Sequence, residues 1–153
     1  MTDDATKIGL KRGVDCIGVA CSFVCHDGDG KFVLQKRSTN ARDEHGRWDC
    51  GGGALEFGEN FEETVRREVF EEYCAIAKDV TLCGTHNVLR DNDGTPTHWV
   101  ALTFAVRVDP SEVKNGEPHK IDEIGWFTLD TLPSPLHSVV QKDFDCVRAA
   151  GIL

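Results

Sequence analysis

The sequence predicts an α/β protein in which a mixed β-sheet lies between helices. Three observations carry this: an apolar, β-branched run from Cys16 to Cys25 answered across an HDGDG turn by KFVLQKR; a helical pattern from Asn60 to Tyr73; and three later strand-like runs ahead of a second helical pattern. Strands joined by hairpins and interleaved with helices build a sheet whose two faces need covering by helices.

Taken in order, CIGVACSFVC reads as a buried strand, and the turn from His26 to Gly30 pairs it with KFVLQKR as a hairpin. Within the first strand Cys21, Phe23 and Cys25 alternate with Ser22 and Val24, so the cysteines point into one face as small hydrophobes. Residues 38–47 are polar and read as a surface loop leading to WDCGGG, whose glycines imply a tight loop with close backbone approach. Phe61, Val65, Val69 and Tyr73 then recur four apart among charged residues, the pattern of an amphipathic helix, with Glu62 and Glu63 at its positive end. TLCGTHNVL and HWVALTFAVRV follow as strands around a DNDGT turn, then IGWFTL as a further strand, and residues 136–152 carry apolar residues at helical spacing.

The chain has 153 residues, 40% of them hydrophobic and 28% charged, which suits one domain over residues 1–153 with residues 1–13 as a flexible N-terminal segment. A net charge of -9 lacks the basic stripe that binding a nucleic-acid polymer requires, so an anionic ligand must be met by a few local cations or a bound metal. Neither a leader-like apolar stretch nor a membrane-spanning length is present, and the chain reads as cytoplasmic. Seven scattered cysteines without a Cys-x-x-Cys pair read as reduced thiols.

Glu68, Glu71 and Glu72 stand at i, i+3 and i+4 and therefore share one helix face, within about 5–6 Å of each other. Like charges that close need neutralising by Arg66, Arg67 or a divalent cation, and an all-oxygen set suits Mg2+ or Mn2+ rather than zinc. By spacing alone the face reads rather as a solvated, salt-bridged surface. Gly51, Gly52, Gly53 and Gly58 just upstream argue for the metal, because a plain surface helix needs no such backbone approach.

The segment GALEFGENFEETVRREVFEEYCA resembles the Nudix box, G-x5-E-x7-R-E-U-x-E-E-x-G-U with U aliphatic, at Gly53, Glu59, Arg67, Glu68, Val69, Glu71 and Glu72. Cys74 replaces the box's final glycine, Ala75 its last aliphatic, and Gly51 a frequent proline. The likeness extends from about Ile17 to Pro133 and includes EPHKIDEIGWFTLDTLP. It implies the family's α/β/α sandwich and metal-dependent attack of water on the diphosphate of a nucleotide such as ADP-ribose, another nucleotide sugar or a nucleoside triphosphate. It implies Glu68, Glu71 and Glu72 as metal ligands with Glu56 as a further one, and Arg67 as the partner that orients Glu59. One of the box glutamates, or Glu117 or Glu123 from the late loop, would accept the proton of the attacking water.

Candidate substrate contacts are Gly52 and Gly53 by backbone, Arg37 and Lys120 to phosphate, with Arg47 and Arg90 behind them, and Trp48 among the aromatics available for stacking alongside Trp99, Trp126 and Phe127. Trp126 resembles a core position. Two other readings share the box: a catalytically inactive nucleotide-sensing domain, and an isopentenyl diphosphate isomerase, which Cys50 beside the glycines keeps open. The family resemblance also leaves room for a homodimer.

Overall fold

The computed structural model describes residues 9–153, so the expectation for the first eight residues lies outside it. Seven strands form one sheet: β1 (Gly18–His26), β2 (Phe32–Arg37), β3 (Trp48–Asp49), β4 (Gly51–Ala54), β5 (Val80–Asn92), β6 (Thr95–Arg107) and β7 (Ile121–Phe127). Helices α1 (Phe61–Tyr73) and α2 (Val140–Ala149) cover its two faces. β1 and β6 run parallel while the other pairs are antiparallel, which makes the sheet mixed as expected.

Two clusters hold the sandwich together. Cys21, Phe23 and Cys25 meet Val65, Val69 and Tyr73 of α1 on one face, while Val24, Phe32 and Leu34 meet Val140, Phe144 and Val147 of α2 on the other. This is the period-two alternation of the first strand made physical. Phe61, at the head of the helical stripe, is the exception and stays 43% exposed. Among the described residues no helix is long and apolar enough to cross a membrane.

Two expectations are corrected. The hairpin of β1 and β2 opens after the His26–Phe32 pair, because β4 takes the place beside β1 from Ala20 to Phe23 while β2 pairs with β3 and β7. The glycines are accordingly a strand and not a loop; Gly58, at φ 89°, is the one before the helix that turns the chain. At the end of the segment expected to be flexible, Gly13 N–H donates to Cys16, its carbonyl accepts from His98 N–H, and it lies against the Trp99 indole.

α1 begins at Asn60, whose side chain accepts from Glu63 N–H at 3.0 Å while Glu63 returns a bond to Asn60 N–H at 2.9 Å. This reciprocal cap satisfies two otherwise orphaned donors. The helix ends at Cys74, which adopts φ 57° and ψ 15°, the left-handed geometry that the box glycine usually supplies. A side chain there is strained, and the cysteine is exposed. Cys74→Gly is expected to stabilise the fold by about 1 kcal/mol, a rise of about 2–4 °C in melting temperature by calorimetry.

Candidate active site

A cavity of about 590 Å³ opens over the sheet between α1, α2 and the loop of residues 38–47. Glu68, Glu71 and Glu72 enter it from α1, and Gly51, Gly52 and Gly53 form the adjoining wall. The strand geometry explains the glycines: a Cβ on Gly53 would collide with the Glu68 carboxylate, and one on Gly51 with Phe23 and Glu72. Removing side chains from β4 is what lets two carboxylates of α1 lie against the sheet.

The glutamates differ in surroundings. Glu72 is 6% exposed, and one of its carboxyl oxygens has no hydrogen-bond partner. Burial pushes its pKa well above the ordinary range, and the charges of Glu68 and Glu117 push the same way, against a bond from Gly52 N–H. Glu68 is raised by burial too, partly offset by Arg67. Arg67 grips Glu59 through two bonds of 3.0 Å, reaches Glu68 at 2.8 Å and approaches Glu71 at 3.4 Å. The fork geometry holds Glu59 below its usual pKa through the Arg67 hydrogen bond, and it fixes the entry of α1.

Other expected residues divide. Glu117 and Lys120 line the cavity, with Lys120 Nζ 3.9 Å from Glu117. Arg37 lines it but is committed to Asp43 at 2.8 Å and Asp49 at 3.4 Å. Arg90 is held likewise by Asp43 and Glu44. Glu123 is exposed on β7, paired with Lys36 and outside the lining, and Glu56 and Arg47 are also outside it. Trp48 corrects the stacking expectation: it is 7% exposed and packs edge-on against Phe127 at 5.3 Å, in the core beneath α2. Trp126 is half-buried against the α1-side core. Trp99 is the tryptophan that lines the cavity, seated against Gly13 and Gly18 with the Arg42 guanidinium 5.5 Å from the ring centre.

Sequence reasoning missed the inner wall. Asp143 of α2, 2% exposed, accepts from Ser22 and Thr103 hydroxyls at 2.7 Å, from His86 Nε2 at 3.0 Å and from the Cys50 thiol at 3.2 Å. Burial alone would raise its pKa, but the bonds from His86, Thr103, Ser22 and Cys50 win and lower it, so it is an anion held by four converging donors. Beside it Asp49 is pushed up to about 7 by burial, against the pull of Arg37. Cys50 is buried and donates to Asp143, and burial pushes its thiol pKa well above the ordinary value. The loop of residues 38–47 roofs the cavity through Glu44, which accepts from Arg90 at 2.7 Å and from Ser138 N–H at 2.9 Å and lies 2.8 Å from His137.

Clustered glutamates with excess negative charge and a buried, partnerless carboxyl oxygen on Glu72 are what a hard divalent cation relieves, so these residues fit a cation of that kind.

Comparison with known proteins agrees with this geometry. The NUDIX domain family model matches residues 17–149. An ADP-ribose pyrophosphatase of Methanocaldococcus jannaschii is 34% identical over 119 residues, covering 76% of this chain and 66% of that protein. An uncharacterised Nudix hydrolase of Yersinia pestis is 33% identical over 115 residues, 74% of this chain and 59% of its own length. The chain thus spans about three fifths to two thirds of these relatives. The crystal structure of a MutT NUDIX hydrolase from Burkholderia pseudomallei superposes with a TM-score of 0.75 at 30% identity, covering 85% of this chain and 97% of that one. The NUDIX domain of Shewanella oneidensis NrtR, solved with ADP ribose, shares the fold at a TM-score of 0.71 and 18% identity, over 98% of this chain and 99% of that one. A family match that runs almost end to end, over a sandwich whose glutamate helix faces a glycine-rich strand, makes this chain a member of the Nudix family.

Proposed function

We propose that the chain is a Nudix hydrolase that uses Mg2+ or Mn2+ to cleave the diphosphate linkage of a nucleoside diphosphate joined to another group. The observation that carries this reading is the buried Glu72 carboxyl with its partnerless oxygen, beside glycines whose missing side chains leave room for the Glu68 and Glu72 carboxylates. Glu68 and Glu72 would hold the cation, with Glu71 at the more exposed rim. When bound, such a cation supplies neutralisation of phosphate charge and an acidified water.

The chain's own residues then have distinct tasks. Arg67 keeps Glu68, Glu71 and Glu59 in place by its fork of hydrogen bonds. Glu117 lines the cavity near enough to Glu68 and Glu72 for its charge to be felt by both, and we assign it, with Glu71, the acceptance of the proton from the attacking water. Lys120 is the cation best placed to meet a phosphate, because Arg37 is already held by two aspartates. The ADP-ribose pyrophosphatase relative makes ADP-ribose one candidate among nucleotide sugars and nucleoside triphosphates.

A panel of these nucleotides, with phosphate release read after coupling to a phosphatase, tests the reading. Turnover is expected with Mg2+ or Mn2+ and lost with chelator. Nucleotide binding without turnover under either metal would overturn it and favour a sensing domain.

A further inference from the structure

The cavity floor is built in rows. Cross-strand partners point to the same side of a sheet, so Ala54 of β4, Ala20 of β1, Ala101 of β6 and His86 of β5 stand side by side across four strands. All four line the cavity. At about 4.8 Å per strand, the three methyl groups make a flat apolar floor about 10 Å wide. The next row inward is Gly52, Ser22 and Thr103, closed over by Asp143; the next row outward is Gly18, Trp99 and Val88. Val139 adds an apolar side and the loop of residues 38–47 supplies the roof. A flat slot with apolar faces, one walled end and its open side beside Gly53 and Glu68 has the shape of a ring-binding seat next to the diphosphate position.

Most of the partnerless buried side-chain atoms that line the cavity are acceptors, with Arg90 Nε a donor among them. His86 Nε2 donates to the anionic Asp143, so in the neutral ring Nδ1 is a lone pair, and it has no partner. Gln35, 7% exposed, has a partnerless side-chain oxygen, and it is the register partner of Asp49, so both face the cavity from β2 and β3. Asp49 has only a long bond from Arg37 at 3.4 Å among its side-chain partners, with His137 at 3.8 Å. Acceptors of this kind favour a ligand edge made of adjacent N–H groups and disfavour one that places a ring lone pair against them.

Resting on the hydrolase reading, we propose that the alanine floor seats the nucleobase of the substrate and that Asp49, with Gln35 and His86, selects a base with a guanine-type edge, whose ring N–H and exocyclic amino group lie side by side. Adenine and cytosine put a ring lone pair beside the amino group, and uracil flanks its single N–H with two carbonyls, so each meets the carboxylate with at least one repelling atom. The substrate class is thus a guanine nucleotide carrying a diphosphate linkage.

The test is calorimetric binding of GMP, IMP, AMP, CMP and UMP to the full chain at pH 8 without metal, for the native protein and for Asp49→Asn. GMP is expected to bind at least about tenfold more tightly than AMP or CMP, with IMP between, the difference one to two buried hydrogen bonds make. Asp49→Asn should reduce this preference to about threefold or less, since the amide presents a donor where the carboxylate accepted. The variant should also melt at a higher temperature at pH 8, because it removes a buried carboxylate whose pKa is raised to about 7, while Arg37 keeps Asp43; loss of preference is then not loss of fold. Equal affinity for all five bases, a preference for AMP or UMP, or a guanine preference that survives Asp49→Asn would overturn the seat. Because binding is read without turnover, the two readings fail separately: a guanine preference with no hydrolysis of any nucleotide removes the hydrolase, and hydrolysis indifferent to the base removes the seat.

Discussion

Glu72→Gln is expected to lower turnover by ~10²-fold or more, the loss typical of a removed metal-charge or acid-base role, and at the same time to raise the melting temperature of the metal-free protein. The two effects share one cause. The Glu72 carboxyl is buried with an unpartnered oxygen, and its folded-state pKa stands well above the ordinary 4.5. A raised carboxyl pKa means that the folded state binds the proton more tightly than the unfolded chain. Stability therefore falls as pH rises from about 4.5 towards the folded value and stays low above it. Asp49 adds the same trend between 3.8 and about 7. Without metal, the native protein should lose stability as pH rises from 4.5 to 8, and Glu72→Gln should flatten that slope. Adding Mg2+ or Mn2+ should raise the native melting temperature and leave the variant's nearly unchanged. Thermal unfolding over pH, with and without metal, reads all of this; a native protein whose melting temperature ignores metal would remove the site.

Asp143→Ala carries the largest structural effect. Four donors converge on this one carboxylate: Ser22, Thr103, His86 and Cys50, drawn from four places in the sheet and its loops. Truncation leaves them buried and facing a void, and the expected loss is about 3–5 kcal/mol, read as a shift of the denaturant midpoint at constant slope. Asp143→Asn, which keeps the volume and one carbonyl acceptor, should cost less than half as much. A loss under about 1 kcal/mol for the alanine variant would mean that α2 is held by its apolar contacts alone.

The first strand and the box helix were legible because their information is local. Alternation fixed which of Cys21, Phe23 and Cys25 face together, and the spacing of Glu68, Glu71 and Glu72 placed them on one face. The glycines were read as a loop, since a run without side chains carries no period; only the approach of Glu68 and Glu72 reveals why it is a strand. The core position of Trp48 has no local sign, because its neighbour Phe127 lies far along the chain. Asp143 did leave a local sign: with Val140, Phe144 and Val147 it completes the i, i+3, i+4, i+7 stripe of α2, and a charge on a buried stripe demands partners. Asp49 and Gln35 left none, because their pairing across β2 and β3 depends on a register that no spacing within either segment encodes.

The glycine strand is a partition one backbone thick. Gly51 and Gly53 turn towards the glutamates of α1, while Gly52 and Ala54 belong to the floor on the other side. What would cut and the floor on which a base would rest are thereby built on opposite faces, from segments distant in the chain. Substitutions in α2, the roof loop or the floor can redirect the choice of ligand while the cutting face is inherited unchanged, so descendants of one such protein can diverge in diet without relearning the chemistry.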